Sequence, residues 1–218
     1  PYQKYITHVI NDINPDVAKT LLGNFFLNAC LAGWKREDEL RNKLDCNIPW
    51  AILLDPTSAC NLHCKGCWAA EYGNRLNLSF EDMDKIVTQG KELGVYLYML
   101  TGGEPLIRKN DIIELAANNQ DCVFLIYTNA TLVDQKFCDD LKRVGNVALA
   151  MSIEGTEESN DWRRGEGAYN ATLKAMELLK KNKCLFGISV CYTRKNDEYV
   201  TSCLLYTSPS PRDYAASR

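Results

Sequence analysis

Three cysteines in one short segment have the clearest chemical potential in this chain. Cys60, Cys64 and Cys67 follow a C-x3-C-x2-C spacing, which brings three metal-binding thiols together. A structural zinc ion needs four tetrahedral ligands, and His63 is the nearby candidate for the fourth. His63 adjoins Cys64, however, and neighbouring side chains usually point in different directions. We therefore predict an iron–sulfur centre with one open iron, with zinc as the alternative.

A second motif is the segment Thr101-Gly-Gly-Glu-Pro105. Its two glycines let the backbone approach a ligand closely, and the Glu104 carboxylate can accept hydrogen bonds from an ammonium group. Alone, such a segment is explained equally well as a turn after a strand. Its position favours a function, because it and the cysteine segment both follow predicted strands and would lie at the same sheet edge.

Apolar runs of strand length alternate with helical periods from residue 50 onward. The runs span residues 50–54, 95–100, 122–128, 147–153 and 185–192. This alternation predicts βαβ units with a buried parallel sheet, an α/β fold that is either part of a (β/α) barrel or an open sheet. Before it, Asn14 and Pro15 are typical of a helix start, and residues 35–44 predict a second helix.

The chain divides into three predicted parts: an N-terminal helical segment at 1–47, the α/β core at 48–201 and a tail at 202–218. The tail has two prolines and no helical period, and residues 203–213 resemble translated sequencing-adapter sequence; a Pro/Ser linker is the alternative. We expect the tail to be non-native or disordered and the core to be truncated after about five strands. The first residue, Pro rather than Met, suggests a cut N-terminus.

Composition limits the class of protein. Of 218 residues, 46% are hydrophobic and 24% charged, which is typical of a globular chain, and the net charge of −3 gives no general attraction to nucleic acid or acidic membranes. The apolar stretch 21–34 is too short and too interrupted for a membrane span, and no signal segment is evident. Ten cysteines without a signal predict reduced thiols in the cytoplasm. Five are predicted to be buried apolar residues: Cys30, Cys122, Cys138, Cys184 and Cys191.

Together, the cysteines and Gly102-Gly103-Glu104 resemble the radical S-adenosylmethionine (radical SAM) superfamily over roughly residues 48–194. The resemblance implies a partial parallel (β/α) barrel of the radical SAM type. It further implies a [4Fe–4S] cluster on the three cysteines and S-adenosylmethionine (AdoMet) on the open iron, with Gly102, Gly103 and Glu104 holding the methionine amino group. The most similar branch contains molybdenum-cofactor, haem-d1 and pyrroloquinoline-quinone synthesis enzymes and peptide-modifying relatives.

The resemblance assigns further AdoMet contacts to polar residues that follow the third and fourth strands: Asn129, Ser152, Glu154 and Arg164. Arg164 is the candidate partner of the methionine carboxylate. Two positions depart from the common family pattern. Gly66 stands where an aromatic residue often precedes the third cysteine, and Trp68 follows that cysteine instead, as an adenine-side candidate. Glu154 stands where Asp is frequent.

The implied function is enzymatic. In the family, the reduced cluster cleaves AdoMet to a 5′-deoxyadenosyl radical, which abstracts hydrogen from a substrate; here the substrate would be a cofactor precursor or a peptide. The resemblance also implies an electron donor such as flavodoxin or ferredoxin, with no nucleic-acid or membrane partner. No catalytic side chain is predicted. A zinc-stabilised, non-catalytic binding module is the alternative, and a fragment that holds the site without activity is a third possibility.

Overall fold

The computed structural model describes residues 12–69, 73 and 75–199. The predicted tail and residues 1–11 of the predicted N-terminal segment lie outside this part of the chain. Five strands form one parallel sheet in the order in which they occur along the sequence. They are β1 (Ala51–Thr57), β2 (Leu97–Gly102), β3 (Val123–Thr128), β4 (Val147–Ser152) and β5 (Phe186–Ser189). This sheet confirms the predicted α/β fold, although β5 ends three residues before its predicted end.

Helices connect and flank these strands. They are α1 (Pro15–Gly23), α2 (Trp34–Leu44), α3 (Phe80–Leu93), α4 (Lys109–Asn118), α5 (Gln135–Val144), α6 (Glu157–Arg164), α7 (Ala168–Lys181) and α8 (Asp197–Tyr199). The π-helical segment Asn24–Gly33 joins α1 to α2, and a short 3₁₀ helix, Pro105–Arg108, precedes α4. None of the helices in the described ranges has the length and apolar character that crossing a membrane requires.

The helix starts follow local capping rules. The Asn14 side chain accepts hydrogen bonds from the backbone N–H groups of Asp16 and Val17, at 2.9 and 3.2 Å, which confirms the predicted cap of α1. Ser79 caps α3 in the same way by accepting from Asp82 N. By contrast, α6 was not predicted from the sequence.

The two faces of the sheet differ in burial. On the helix-covered face, alternate residues of each strand are buried in the main core: Leu54, Tyr98, Leu100, Phe124, Ile126, Leu149 and Met151. The intervening residues form the inner face, and Leu53 there is 55% exposed while Met99, Leu125 and Tyr127 are half-buried. The prediction of strands buried on both faces therefore holds only in part, because Leu97 and Val123 on the inner face are buried against α1 whereas Leu53 is exposed.

The N-terminal helices cover the amino-terminal edge of the sheet. Val17 and Leu21 of α1 pack in one apolar cluster with Leu97 and Val123, the first residues of β2 and β3. This packing leaves the opposite edge, where the strands end, to the connecting loops. The N-terminal helices therefore influence the edge where the strands end only indirectly, by fixing the opposite, amino-terminal edge of the sheet.

Three of the five cysteines predicted to be buried are buried, namely Cys122, Cys138 and Cys184. The prediction is wrong for the other two, since Cys30 is half-buried and Cys191 is exposed. Cys191 follows the early end of β5 and therefore has no strand to carry it into the core. No disulfide links the cysteines of the described residues.

Candidate functional site

The cysteine loop begins where β1 ends. Cys60, Cys64 and Cys67 are half-buried and line a single cavity of about 150 Å³. Burial raises the pKa of Cys60, and the nearby Glu104 carboxylate raises it further. Burial also raises the pKa of Cys64, while the guanidinium of Arg164 acts in the opposite direction. The loop therefore presents three soft ligands around one enclosed space, as a metal cofactor requires.

The spacing of these ligands bears on the choice between a cluster and a single ion. In the part of the chain that the structure describes, no three His, Cys, Asp or Glu side chains converge closely enough to hold one metal ion. A tetrahedral zinc site needs such convergence, whereas the cysteines of a [4Fe–4S] cube each bind a different iron. His63 is exposed on the loop. The three thiols that line one cavity are the ligand set that the predicted [4Fe–4S] cluster would use.

The Gly-Gly-Glu segment is docked against the cysteine loop through its backbone. Gly103 N donates to Thr57 O at 2.9 Å, and Glu104 N donates to Ala59 O at 2.8 Å. A Cβ at Gly103 would lie only 2.1 Å from Ala59 O, and Gly102 has φ of +101°. Both glycines are thus needed for the strand end to reach the cysteine loop, whether or not a ligand is bound.

Glu104 joins the ends of β2 and β3. Its Oε1 accepts hydrogen bonds from Leu106 N at 2.9 Å and Thr128 Oγ1 at 2.7 Å, and its Oε2 accepts from Asn129 N at 2.8 Å. The side chain is buried, and this burial raises the pKa of the carboxyl group, although the bond from Thr128 opposes the rise. A carboxylate accepts about four hydrogen bonds, so Glu104 retains room for one further donor.

Asn129 extends this network to the cysteine loop. Its Nδ2 donates to Asn61 Oδ1 at 2.9 Å, and its Oδ1 accepts from Thr131 N and Thr131 Oγ1 at 3.0 and 2.7 Å. The amide is therefore already used to hold the residue that follows Cys60. Ser152, at the end of β4, is half-buried. The AdoMet contacts of Asn129 and Ser152 remain predictions.

Glu154 is the centre of a buried ion-pair cluster just beyond β4. Its Oε1 accepts from Arg163 Nη1 at 2.8 Å and from Arg164 Nε and Nη2 at 2.9 and 2.6 Å. Its Oε2 accepts from Cys191 N at 2.8 Å. The remaining guanidinium nitrogen of Arg164 lies 4.0 Å from Cys64 Sγ. Glu154 therefore directs Arg164 toward the cysteine loop, and direct AdoMet contacts for both residues remain predictions.

Helix α6 supports the cysteine loop from outside. Lys65 N donates to Arg163 O at 2.7 Å, and the Lys65 ammonium lies 4.6 Å from the Trp162 ring centroid. Thr156 and Ser159 form a reciprocal capping box at the start of this helix. The sequence signal for this helix is a Thr and a Ser three residues apart, with the acidic residues Glu157 and Glu158 between them.

A second cavity, of about 310 Å³, adjoins the first and shares Ser58 and Ala69 with it. Trp68, which is 56% exposed, lines it together with Asp55, Gly102 and the apolar side chains of Leu76 and Leu78. Asp55 Oδ1 is buried there and has no hydrogen-bond partner among the described residues. Burial raises the pKa of this carboxyl group. The sequence signal for it is a charged residue directly after the apolar run 50–54.

Comparison with known proteins identifies several relatives. The chain is 30% identical over 161 residues to an AdoMet-dependent heme synthase of Methanosarcina barkeri. The aligned region covers 71% of this chain and 46% of that protein. It is 31% identical over 137 residues to a PqqA peptide cyclase of Bradyrhizobium diazoefficiens, an alignment that covers 61% of this chain and 36% of that protein. A pre-heme d1 synthase of Dinoroseobacter shibae is 28% identical over 158 residues, covering 70% and 39%. The chain thus spans about half the length of these relatives or less.

Solved structures share the fold. SuiB of Streptococcus suis bound to S-adenosylmethionine superposes with a TM-score of 0.64 at 20% identity, over 78% of this chain and 39% of that chain. Native anSMEcpe with bound AdoMet superposes with a TM-score of 0.60 at 22% identity, over 72% and 47%. These likenesses agree with the predicted partial barrel of the radical SAM type. The family model described as the radical SAM superfamily matches residues 54–204, which is well over half of the chain. The chain therefore belongs to the radical SAM superfamily.

Proposed function

We propose that this chain forms the AdoMet-cleaving core of a radical SAM enzyme. Cys60, Cys64 and Cys67 would hold a [4Fe–4S] cluster, and the Gly102–Glu104 backbone and carboxylate would hold the methionine amino group of AdoMet. The observation that carries the proposal is that three half-buried thiols line one cavity against which the Gly-Gly-Glu segment is hydrogen-bonded. When bound, the cluster supplies the one-electron reduction that cleaves AdoMet, which is chemistry of the cofactor rather than of a side chain.

The protein's own residues contribute binding, orientation and a dry site. Glu104 is fixed by three hydrogen bonds before any ligand arrives, so it loses little conformational entropy when it accepts an ammonium N–H. Burial strengthens that interaction because the local dielectric constant is low. Arg164 places positive charge beside Cys64, where it would offset the negative charge of the thiolates. Ser152, Glu154, Asn129 and Trp68 remain proposed AdoMet contacts around this centre.

The proposed substrate is a cofactor precursor or a peptide. Relatives named for heme synthesis, pre-heme d1 synthesis and PqqA peptide cyclisation support these two classes. A structural neighbour, SuiB, is described as bound to the precursor peptide SuiA. We also propose a protein electron donor such as flavodoxin or ferredoxin, because one-electron reduction of the cluster needs an external source.

Anaerobic reconstitution with iron and sulfide tests the proposal. The chain should bind about four iron atoms and, after reduction, give the electron paramagnetic resonance spectrum of a [4Fe–4S] cluster that changes when AdoMet is added. Replacing Cys60, Cys64 and Cys67 together with Ser should abolish iron binding. The matched control is Cys46→Ser, because Cys46 is an exposed thiol outside the loop. A colourless protein that binds one zinc tightly would instead support the alternative of a non-catalytic module.

A further inference from the structure

The 310 Å³ cavity beside the cysteine loop has the composition of a binding site for a small organic cation. Its walls are mainly apolar, formed by Trp68, Ala69, Leu76 and Leu78. Among the described residues that line it, Asp55 carries a charge. Small-molecule sites usually combine apolar walls with a few placed polar groups that fix orientation. The cavity therefore differs from the neighbouring thiol-lined cavity, which offers metal ligands.

Within the described ranges, the Asp55 carboxylate has a buried oxygen atom without a hydrogen-bond donor. Its Oδ1 is buried without a hydrogen-bond partner within the described ranges, and burial raises the pKa of the group. An unpaired buried acceptor is costly, so such an atom in a native structure calls for an explanation. Glu104 and Glu154, two other carboxylates at this sheet edge, by contrast each accept at least three hydrogen bonds from protein donors.

The backbone around Asp55 keeps the cavity open. The Cβ position at Gly102 would lie 3.0 Å from Asp55 Cβ and 2.7 Å from Thr57 O, so any side chain there would crowd the carboxylate. Gly102 belongs to the segment proposed to hold the methionine of AdoMet. A ligand in the cavity would therefore lie directly beside AdoMet, which is where the substrate of a hydrogen-abstracting enzyme must be.

We propose that Asp55 is a specificity-determining residue that accepts N–H hydrogen bonds from a cationic nitrogen of the substrate, whose apolar body fills the cavity between Trp68, Leu76 and Leu78. This inference rests on the proposed function, because it takes the neighbouring position as that of AdoMet. A protonated amine or guanidinium matches the carboxylate in charge and donor number. A purely apolar group would leave the carboxylate unpaired, and an anion would be repelled.

The test uses benzylamine, which is protonated at neutral pH, and benzyl alcohol, a neutral analogue of similar size. Dissociation constants of both are measured by calorimetry on the reconstituted chain in the presence of AdoMet. The wild-type chain should bind the amine more tightly than the alcohol. Asp55→Asn should weaken amine binding by about tenfold to a hundredfold, since hydrogen bonds to charged groups fall in that range. Binding of the alcohol should change little.

Two further variants keep the result interpretable. Glu177→Gln removes an exposed carboxylate on α7 and should leave both probes unaffected. Leu76→Ala shortens an exposed wall residue and should weaken amine and alcohol by the same factor, which shows that both occupy this cavity. If Asp55→Asn unfolds the chain, the Leu76→Ala comparison together with the preference for amine over alcohol still tests the site.

Equal binding of the two probes by the wild-type chain, or unchanged amine binding in Asp55→Asn, would overturn the inference. So would a loss of AdoMet affinity in Asp55→Asn with no change for the amine, because the carboxylate would then serve AdoMet itself. Failure of the proposed function has a different signature. In that case the wild-type chain does not assemble a cluster or bind AdoMet, whatever happens with the amine.

Discussion

Glu154→Gln should destabilise the fold far more than the loss of one surface ion pair. The carboxylate is 1% exposed and accepts hydrogen bonds from two arginines and a backbone N–H. The two arginine side chains are themselves only 12% and 11% exposed. Neutralising the carboxylate therefore leaves two poorly solvated guanidinium groups that repel each other across the position of the lost charge.

The magnitude follows from this burial. Removing one partner of a buried ion pair costs about 3–5 kcal/mol, because the remaining charge stays uncompensated. Gln retains a carbonyl oxygen that can accept one of the bonds, so we expect about 3 kcal/mol, the low end of the range. With a urea slope of about 2 kcal/mol/M, the unfolding midpoint should fall by about 1.5 M.

Equilibrium urea unfolding followed by circular dichroism measures the effect. Lys136→Gln is the matched control, since it breaks the Lys136–Asp140 pair, in which the lysine is 73% exposed. Such exposed pairs contribute about 0–1 kcal/mol, so the control midpoint should move by less than about 0.5 M. If the ion pair is the cause, Glu154→Gln should cost less when Arg164 is already Met. A Glu154→Gln midpoint equal to that of the control would refute the reasoning.

Three other changes test the same sheet edge. Gly103→Ala should lower the free energy of unfolding, measured in urea, by about 1–3 kcal/mol because the added Cβ would collide with Ala59 O. Gly23→Ala is the control, because no atom lies within 4 Å of its added Cβ, and it should stabilise helix α1 by about 0.5–1 kcal/mol. Burial raises the Glu104 pKa, so the folded state binds this proton more tightly than the unfolded state does. The free energy of unfolding of the wild type, relative to that of Glu104→Gln, should therefore be greater at pH 4 than at pH 7. The opposite trend in unfolding free energies would contradict this. Arg164→Gln should shift the midpoint potential of the reconstituted cluster to more negative values in a redox titration followed by electron paramagnetic resonance, because a positive charge near Cys64 is lost; an unchanged potential would exclude this role.

Much of the fold could be predicted because it depends on local patterns. Apolar runs of strand length located the strands, helical periods located helices between them, and Asn14 marked the start of α1. The parallel order then placed the cysteine loop and the Gly-Gly-Glu segment at one edge. Each of these inferences uses residues close together in sequence or a general rule of chain connection.

The misses come from interactions between distant residues. Nothing near Glu154 in sequence reveals that Cys191 N completes its hydrogen bonds, 37 residues later. Asp55 appears in the sequence as a single charge directly after the apolar run 50–54, and only the packing of Leu76 and Leu78 beside it creates a cavity. Cys191 was expected in the core because its strand was predicted to be longer than it is.

The residues predicted to bind AdoMet also hold the site together, and this affects how their variants must be interpreted. Glu104 links β2 to the end of β3 through hydrogen bonds, and Asn129 links β3 to the cysteine loop in the same way. Glu154 directs Arg164 toward Cys64 through an ion pair. A variant at any of these positions would disturb the hydrogen bonds that position the cysteine loop, in addition to any proposed ligand contact. Loss of activity alone therefore cannot assign a residue to AdoMet. Asp55 is different, because its Oδ1 has no hydrogen-bond partner among the described residues, so a change in binding without a change in stability would identify a ligand contact directly.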